Sequence, residues 1–102
     1  MDTHLRYEPE EYHLREILPS DISLQDLHQV NQDSRTYNYT NSLSMSQEDF
    51  RRLKILYNGT YRTVDQYVGE IYDYLVKTNQ FEDTLFVVLG DHGEHLGEYG
   101  MM

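Results

Sequence analysis

Cysteine is absent from the 102 residues, so no disulfide and no thiolate metal site or nucleophile can form within the chain. Basic residues are scarce: eight Lys and Arg stand against eighteen Asp and Glu, for a net charge of −10. That balance argues against nucleic-acid binding and against docking on an anionic membrane surface. Six of the eight basic residues are Arg, a composition that suits either adaptation to high salt or an ordinary acidic surface. No hydrophobic run approaches the roughly 20 residues of a membrane helix. No signal peptide precedes Asp2, and any export signal is expected upstream, which leaves localisation open. The sequons at Asn38-Tyr39-Thr40 and Asn58-Gly59-Thr60 arise by chance too often to decide the compartment. Strand signal is equally sparse. A single convincing sheet strand needs partners to pair with, so the chain reads as an internal piece of a larger catalytic domain, with Met1 an internal methionine.

The order of elements follows from breakers and periodicity. Residues 1–45 read as loop and short helices. Met1 to Tyr12 is polar and aromatic, and Pro9 disfavours helix just before it. A short helix is expected from Glu10 to Leu18, closed by Pro19, and a weaker helical pattern runs through Ile22, Leu24, Leu27 and Val30. Asn31 to Ser44, rich in Asn, Ser, Thr and Tyr, reads as a loop flanking the mouth of a site. A long helix is predicted over 46–79. There Phe50, Leu53, Tyr57, Tyr61, Val64, Val68, Ile71 and Leu75 recur at spacings of three and four and form one apolar stripe, read as core. Ser44 or Ser46 can cap its start, and Asn79 can adopt the left-handed conformation that ends it. Gly59 and Gly69 are expected to bend this helix or to let it approach a sheet closely.

The region 84–100 carries the chemistry. Leu85 to Leu89 are five consecutive apolar residues, a pattern that suits a strand covered on both faces of a parallel sheet. In open α/β sheets, ligands gather at the carboxyl ends of such strands, where this chain places Asp91 and His92. Neighbours in a regular strand point to opposite faces, so the two can share one ion only if the chain turns there. Gly90 and Gly93 permit that turn. A carboxylate and an imidazole suit a divalent cation, but zinc takes about four ligands and calcium about six to eight, so further donors must come from elsewhere. A local zinc cluster of His92, Glu94 and His95 fits neither helical zinc motif, because Gly93 and Gly97 spoil the helix those motifs need. On pattern alone, a solvated strand-to-loop turn stands beside the metal reading.

The run Gly90-Asp91-His92-Gly93-Glu94-His95-Leu96-Gly97-Glu98 resembles the Asp-His-Gly-Glu-x-x-Gly-Glu-His signature of sulfatases in the alkaline phosphatase superfamily. The helix Tyr57 to Leu75 is similar to the one that precedes this strand in those enzymes, and Met1 to Pro9 resembles their His-x-Pro-Tyr segment. The resemblance implies an α/β fold, with this chain a fragment of an alkaline-phosphatase-like parallel-sheet domain in which a long helix is followed by a buried strand. It implies that Asp91 and His92 bind a divalent cation, calcium first and manganese or zinc as alternatives. It further implies that His4 contacts the sulfate or phosphate group or assists the leaving oxygen, although Arg6 replaces the family's Pro. Tyr99 stands where many relatives have a second His, so no role is carried to that position. Tyr7 is read as framing the loop, Glu94 and His95 as bordering the site, His13 and His28 as surface residues, and Asp65 as part of a polar helix face.

The function so implied is the metal-site portion of a hydrolase cleaving sulfate esters of small molecules or carbohydrates. The formylglycine nucleophile is expected outside this chain, and the chain alone is expected to be inactive. A phosphodiester or phosphonate hydrolase of the same superfamily, or a non-catalytic truncated remnant, are the alternatives. Substrate identity and oligomeric state have no readable code in the sequence.

Overall fold

The computed structural model describes residues 7–39, 46–94 and 96. Among them are three α-helices, α1 (Glu11–Ile17), α2 (Leu24–Tyr39) and α3 (Gln47–Lys77), followed by a 3₁₀ turn at Phe81–Asp83.

The helix α3, 31 residues long, sets the 52 Å long axis of the molecule. Its start is a capping box: the Ser46 hydroxyl accepts from the Asp49 N–H at 3.1 Å, and the Asp49 carboxylate accepts from the Ser46 N–H at 3.2 Å. Two of the orphan donors of the first turn are thereby satisfied. At the other end Asn79 takes a positive φ of 59°. The Gln80 N–H then reaches the Leu75 carbonyl, and the Asn79 N–H reaches that of Val76, which is the double closure of a Schellman motif. The start of α2 uses the same chemistry as α3, with Ser23 and Asp26 exchanging backbone-to-side-chain hydrogen bonds at 3.0 and 3.1 Å.

The core lies where α1 and α2 cover the first half of α3. Tyr7, Leu14, Ile22, Leu27, Val30, Leu53, Ile55 and Leu56 are buried together. On α3 the covered face runs through Leu53, Leu56, Gly59 and Thr63. The expected apolar stripe is therefore core only in part. Tyr61, Val64 and Ile71 are more than half exposed; α1 reaches Thr63 and Gln66, so Tyr61 and Val64 are uncovered because they lie on a different face of α3 from Leu56, Gly59 and Thr63. Gly59 admits Leu14 of α1 rather than a sheet, and nothing lies within 4 Å of a side chain built at Gly69.

One expectation is corrected by the structure, and a second finds no support among the described residues. Asn31 to Tyr39, read as loop, continues α2. Its polar residues hide a core register: Leu24, Leu27, Asn31 and Ser34 follow helical spacing, and Asn31 and Ser34 are buried despite their polarity. The run Leu85–Leu89, read as a buried strand, belongs to no ladder among the described residues and is largely exposed, with Leu85 at 89% and Leu89 at 86%. Its residues are apolar, β-branched and uncharged, as a sheet interior demands, but no strand lies beside it among the described residues. Without neighbours to accept its backbone hydrogen bonds and cover its faces, the segment has nothing to be buried against.

Candidate functional site

The chain turns at Gly90–Gly93, and the turn brings Asp91 and His92 to one side. Asp91 Oδ1 accepts the His92 backbone N–H at 2.8 Å, while Asp91 Oδ2 lies 3.7 Å from His92 Nε2. On its other side the ring approaches the Gly93 carbonyl, with Nδ1 at 2.8 Å. A carbonyl can only accept, so Nδ1 carries the proton in this contact and the neutral ring presents the Nε2 lone pair. The Gly93 carbonyl, followed by the charge of Asp91, raises the His92 pKa above the ordinary histidine value. Both side chains are open to solvent, at 72% for His92 and 91% for Asp91.

This donor pair fits part of a divalent cation site. A carboxylate oxygen and an imidazole nitrogen stand 3.7 Å apart, and the second ring nitrogen is oriented by a carbonyl, a common support for metal-binding histidines. No cluster of three or more potential ligands forms among the described residues, so the remaining donors are not supplied by that set. His4, His95 and Tyr99 lie outside the described residues. His28 is exposed, as a surface residue should be. His13 is not a plain surface residue: it is half-buried, with Nε2 2.9 Å from Gln66 Oε1, and Gln66 Oε1 also accepts from the Tyr12 hydroxyl.

The turn is tied to the helical body from its far side. The Tyr7 hydroxyl donates to Glu94 Oε2 at 2.9 Å, and Leu96 packs against the core. Tyr7 is itself buried at 4% exposure, edge-on to Tyr57 with ring centroids 6.1 Å apart. Its main chain is held by Asn31, whose Oδ1 accepts from the Tyr7 N–H at 2.9 Å and whose Nδ2 donates to the Tyr7 carbonyl at 2.6 Å. The Tyr57 hydroxyl lies 3.3 Å from that of Tyr61. This contact raises the Tyr57 pKa, and the negative charge of Glu94 acts in the same direction. Sequence reasoning placed Glu94 and Tyr7 near the site but did not connect them, and it missed Asn31. The available signal was a buried-register amide on α2.

No helix among the described residues is long and apolar enough to cross a membrane. No solved structure matches the chain. Over 60 residues, 59% of this chain, it is 35% identical to a choline-sulfatase from Rhizobium meliloti (strain 1021). Over 59 residues, 58% of the chain, it is 30% identical to the multifunctional alkaline phosphatase superfamily protein PehA from Trinickia caryophylli. Each match spans 12% of the relative's length, so the chain corresponds to a small part of those proteins. The sulfatase family model matches residues 22–101, a stretch that contains α2, α3 and the Asp91–His92 turn. That family has an alkaline-phosphatase-like α/β fold and generally binds a divalent metal. More than three quarters of the 102 residues fall within that match, and this chain belongs to the sulfatase family.

Proposed function

We propose that the chain is the metal-site portion of a sulfatase-like hydrolase acting on sulfate esters, with Asp91 and His92 as two of the cation's ligands. The observation that carries this reading is the convergence of Asp91 Oδ2 and His92 Nε2 at 3.7 Å inside the stretch matched by the sulfatase family. A divalent cation held there would supply Lewis acidity, neutralising charge on the ester oxygens. Asp91 contributes the anionic oxygen, and the Gly93 carbonyl fixes the tautomer that leaves His92 Nε2 available. His4 is proposed to contact the ester oxyanion or the leaving oxygen, where an imidazolium donates a charge-assisted hydrogen bond and a neutral ring moves a proton. Calcium is the first candidate cation; the imidazole donor keeps manganese and zinc in contention.

In this reading the exposed run 84–89 and the uncovered half of α3 pack against sheet strands that the rest of a longer catalytic domain supplies. The 102 residues contain no cysteine, so a formylglycine nucleophile must come from that remainder. The isolated chain then binds metal weakly and hydrolyses nothing. A phosphodiester or phosphonate hydrolase is the second reading, favoured by the likeness to a multifunctional alkaline phosphatase superfamily protein. Calorimetric titration of the chain with calcium, manganese and zinc tests the site: Asp91→Ala and His92→Ala should each abolish binding, and unchanged binding in both would remove the assignment. In a protein of the relatives' full length, comparing turnover of an aryl sulfate with that of an aryl phosphodiester separates the two activities.

A further inference from the structure

We infer that Tyr7, clamped by Asn31, is a positioning residue that holds the Asp91–His92 turn in place through Glu94. This inference rests on the metal-site reading above and deepens it, because it names what keeps two solvent-exposed ligands in a defined place.

The segment leading into the turn supplies no fixed geometry, since Thr84–Gly90 lies outside any sheet among the described residues. The turn must therefore be located from its C-terminal side. There the Glu94 carboxylate, two residues beyond His92, accepts from the Tyr7 hydroxyl at 2.9 Å, and Leu96 rests on the core. A hydroxyl can locate a turn only if it is itself immobile. Tyr7 meets that condition at three points. Its ring is buried and stands edge-on to Tyr57 of α3 at an interplanar angle of 81°. Its N–H and its carbonyl are both paired with the single side-chain amide of Asn31, at 2.9 and 2.6 Å. Asn31 is in turn 1% exposed on α2, with the buried Ser34 hydroxyl donating to its carbonyl at 2.8 Å.

An amide that bridges both backbone groups of one residue acts like a rung of a sheet ladder, fixing position and orientation together. The hydrogen bond to an ionised carboxylate is of the stronger kind. The path from α2 through Asn31 and Tyr7 to Glu94 thus joins residues 24 and 87 positions apart by direct contacts. Its effect on the metal is indirect: Tyr7 sets where Asp91 and His92 stand without touching the ion.

The test uses the isotopically labelled 102-residue chain and two readouts. Without metal, Tyr7→Phe should shift the Gly93 and Glu94 amide resonances, whereas Tyr12→Phe, whose hydroxyl bonds Gln66, should not. Unmoved Gly93 and Glu94 resonances in Tyr7→Phe would overturn the inference whether or not metal binds. With manganese added, paramagnetic broadening of the His92 ring reports affinity. Tyr7→Phe and Glu94→Ala should each weaken binding about tenfold, the lower end of what outer-shell changes cost. Glu94→Gln keeps an acceptor for the Tyr7 hydroxyl and should bind within about twofold of the unaltered chain, a rescue that a charge or ligand role for Glu94 would not give. Glu94→Gln as weak as Glu94→Ala, with Tyr7→Phe unchanged, would make Glu94 a ligand and overturn the positioning role. No His92 broadening in the unaltered chain would remove the metal site, while the metal-free shifts would still decide whether Tyr7 holds the turn.

Discussion

Gly59 of α3 lies directly beneath Leu14 of α1: a Cβ at position 59 would stand 2.6 Å from Leu14 Cδ2 and 3.2 Å from Pro9 Cβ. Leu14 is 1% exposed and has little room to swing aside, and Pro9 is rigid. Alanine in a helix interior is ordinarily worth about 1 kcal/mol over glycine, but overpacking costs about 1–3 kcal/mol. Gly59→Ala should therefore lower stability by about 1 kcal/mol. Gly69, on the same helix with nothing within 4 Å, should gain about 0.5–1 kcal/mol from the same change. Urea unfolding of both variants checks the pair. A stabilised Gly59→Ala would show that α1 does not pack where it is placed.

Asn31→Ala removes both partners of the Tyr7 backbone at a site 1% exposed. A buried polar group left without its partner costs about 1–3 kcal/mol, and two are orphaned here. The expected loss is about 3 kcal/mol, with the Tyr7 amide exchanging faster with solvent. Asn31→Asp should also destabilise, because a carboxylate oxygen would then face the Tyr7 carbonyl where an N–H had donated. If hydrogen exchange at Tyr7 were unchanged in both variants, the clamp would be refuted.

The contrast between Gly59 and Asn31 shows which features a sequence makes visible. The boundaries of α3 were readable because Ser46 and Asn79 are local: a cap and a left-handed terminator act within one turn. The pairing of Asp91 with His92 was readable because glycines bracket it. Asn31 was not, since its value as a core residue depends on Tyr7, 24 positions away. Nor did apolar spacing predict which face of α3 would be covered. The stripe ran the whole helix, but the covered face turns away from it through Leu56, Gly59 and Thr63, and the last two carry no apolar signal. The run Leu85–Leu89 shows the converse: its composition asks for a sheet, whereas the described residues offer it no strand to pair with.

Acid should destabilise the chain partly through Asp21 and Asp26. The hydrogen bond from Arg51 lowers the Asp21 pKa, and the Ser23 N–H and hydroxyl lower that of Asp26. With folded values below the unfolded value of about 3.9, each carboxylate adds stability that is fully present above that pH. This contribution is lost as pH falls through the folded pKa, where the unfolded chain binds more protons. Asp26→Asn keeps an acceptor for the Ser23 N–H but cannot titrate. Its deficit in Tm relative to the unaltered chain should shrink between about pH 5 and pH 2. A deficit constant across that range would assign the stabilisation to the hydrogen bond alone.

The segment 84–89 should make the isolated chain self-associate. Leu85, Val87, Val88 and Leu89 are 59–89% exposed, carry no charge and favour β-structure, so their backbone groups offer a template to a second strand. The opposing force is electrostatic: Glu82, Asp83 and Asp91 flank the segment, and the chain carries a net charge of −10. Salt weakens that repulsion, since the screening length falls from about 10 Å at 0.1 M to about 3 Å at 1 M. Sedimentation should therefore show a larger associated fraction at high salt, with a rise in β-type circular dichroism. Val87→Lys places a charge in the middle of the segment at a position that is already 59% exposed, so it should suppress association with little change in Tm. Undiminished association in this variant would move the contact to the other uncovered surface, the Tyr61, Val64 and Ile71 face of α3.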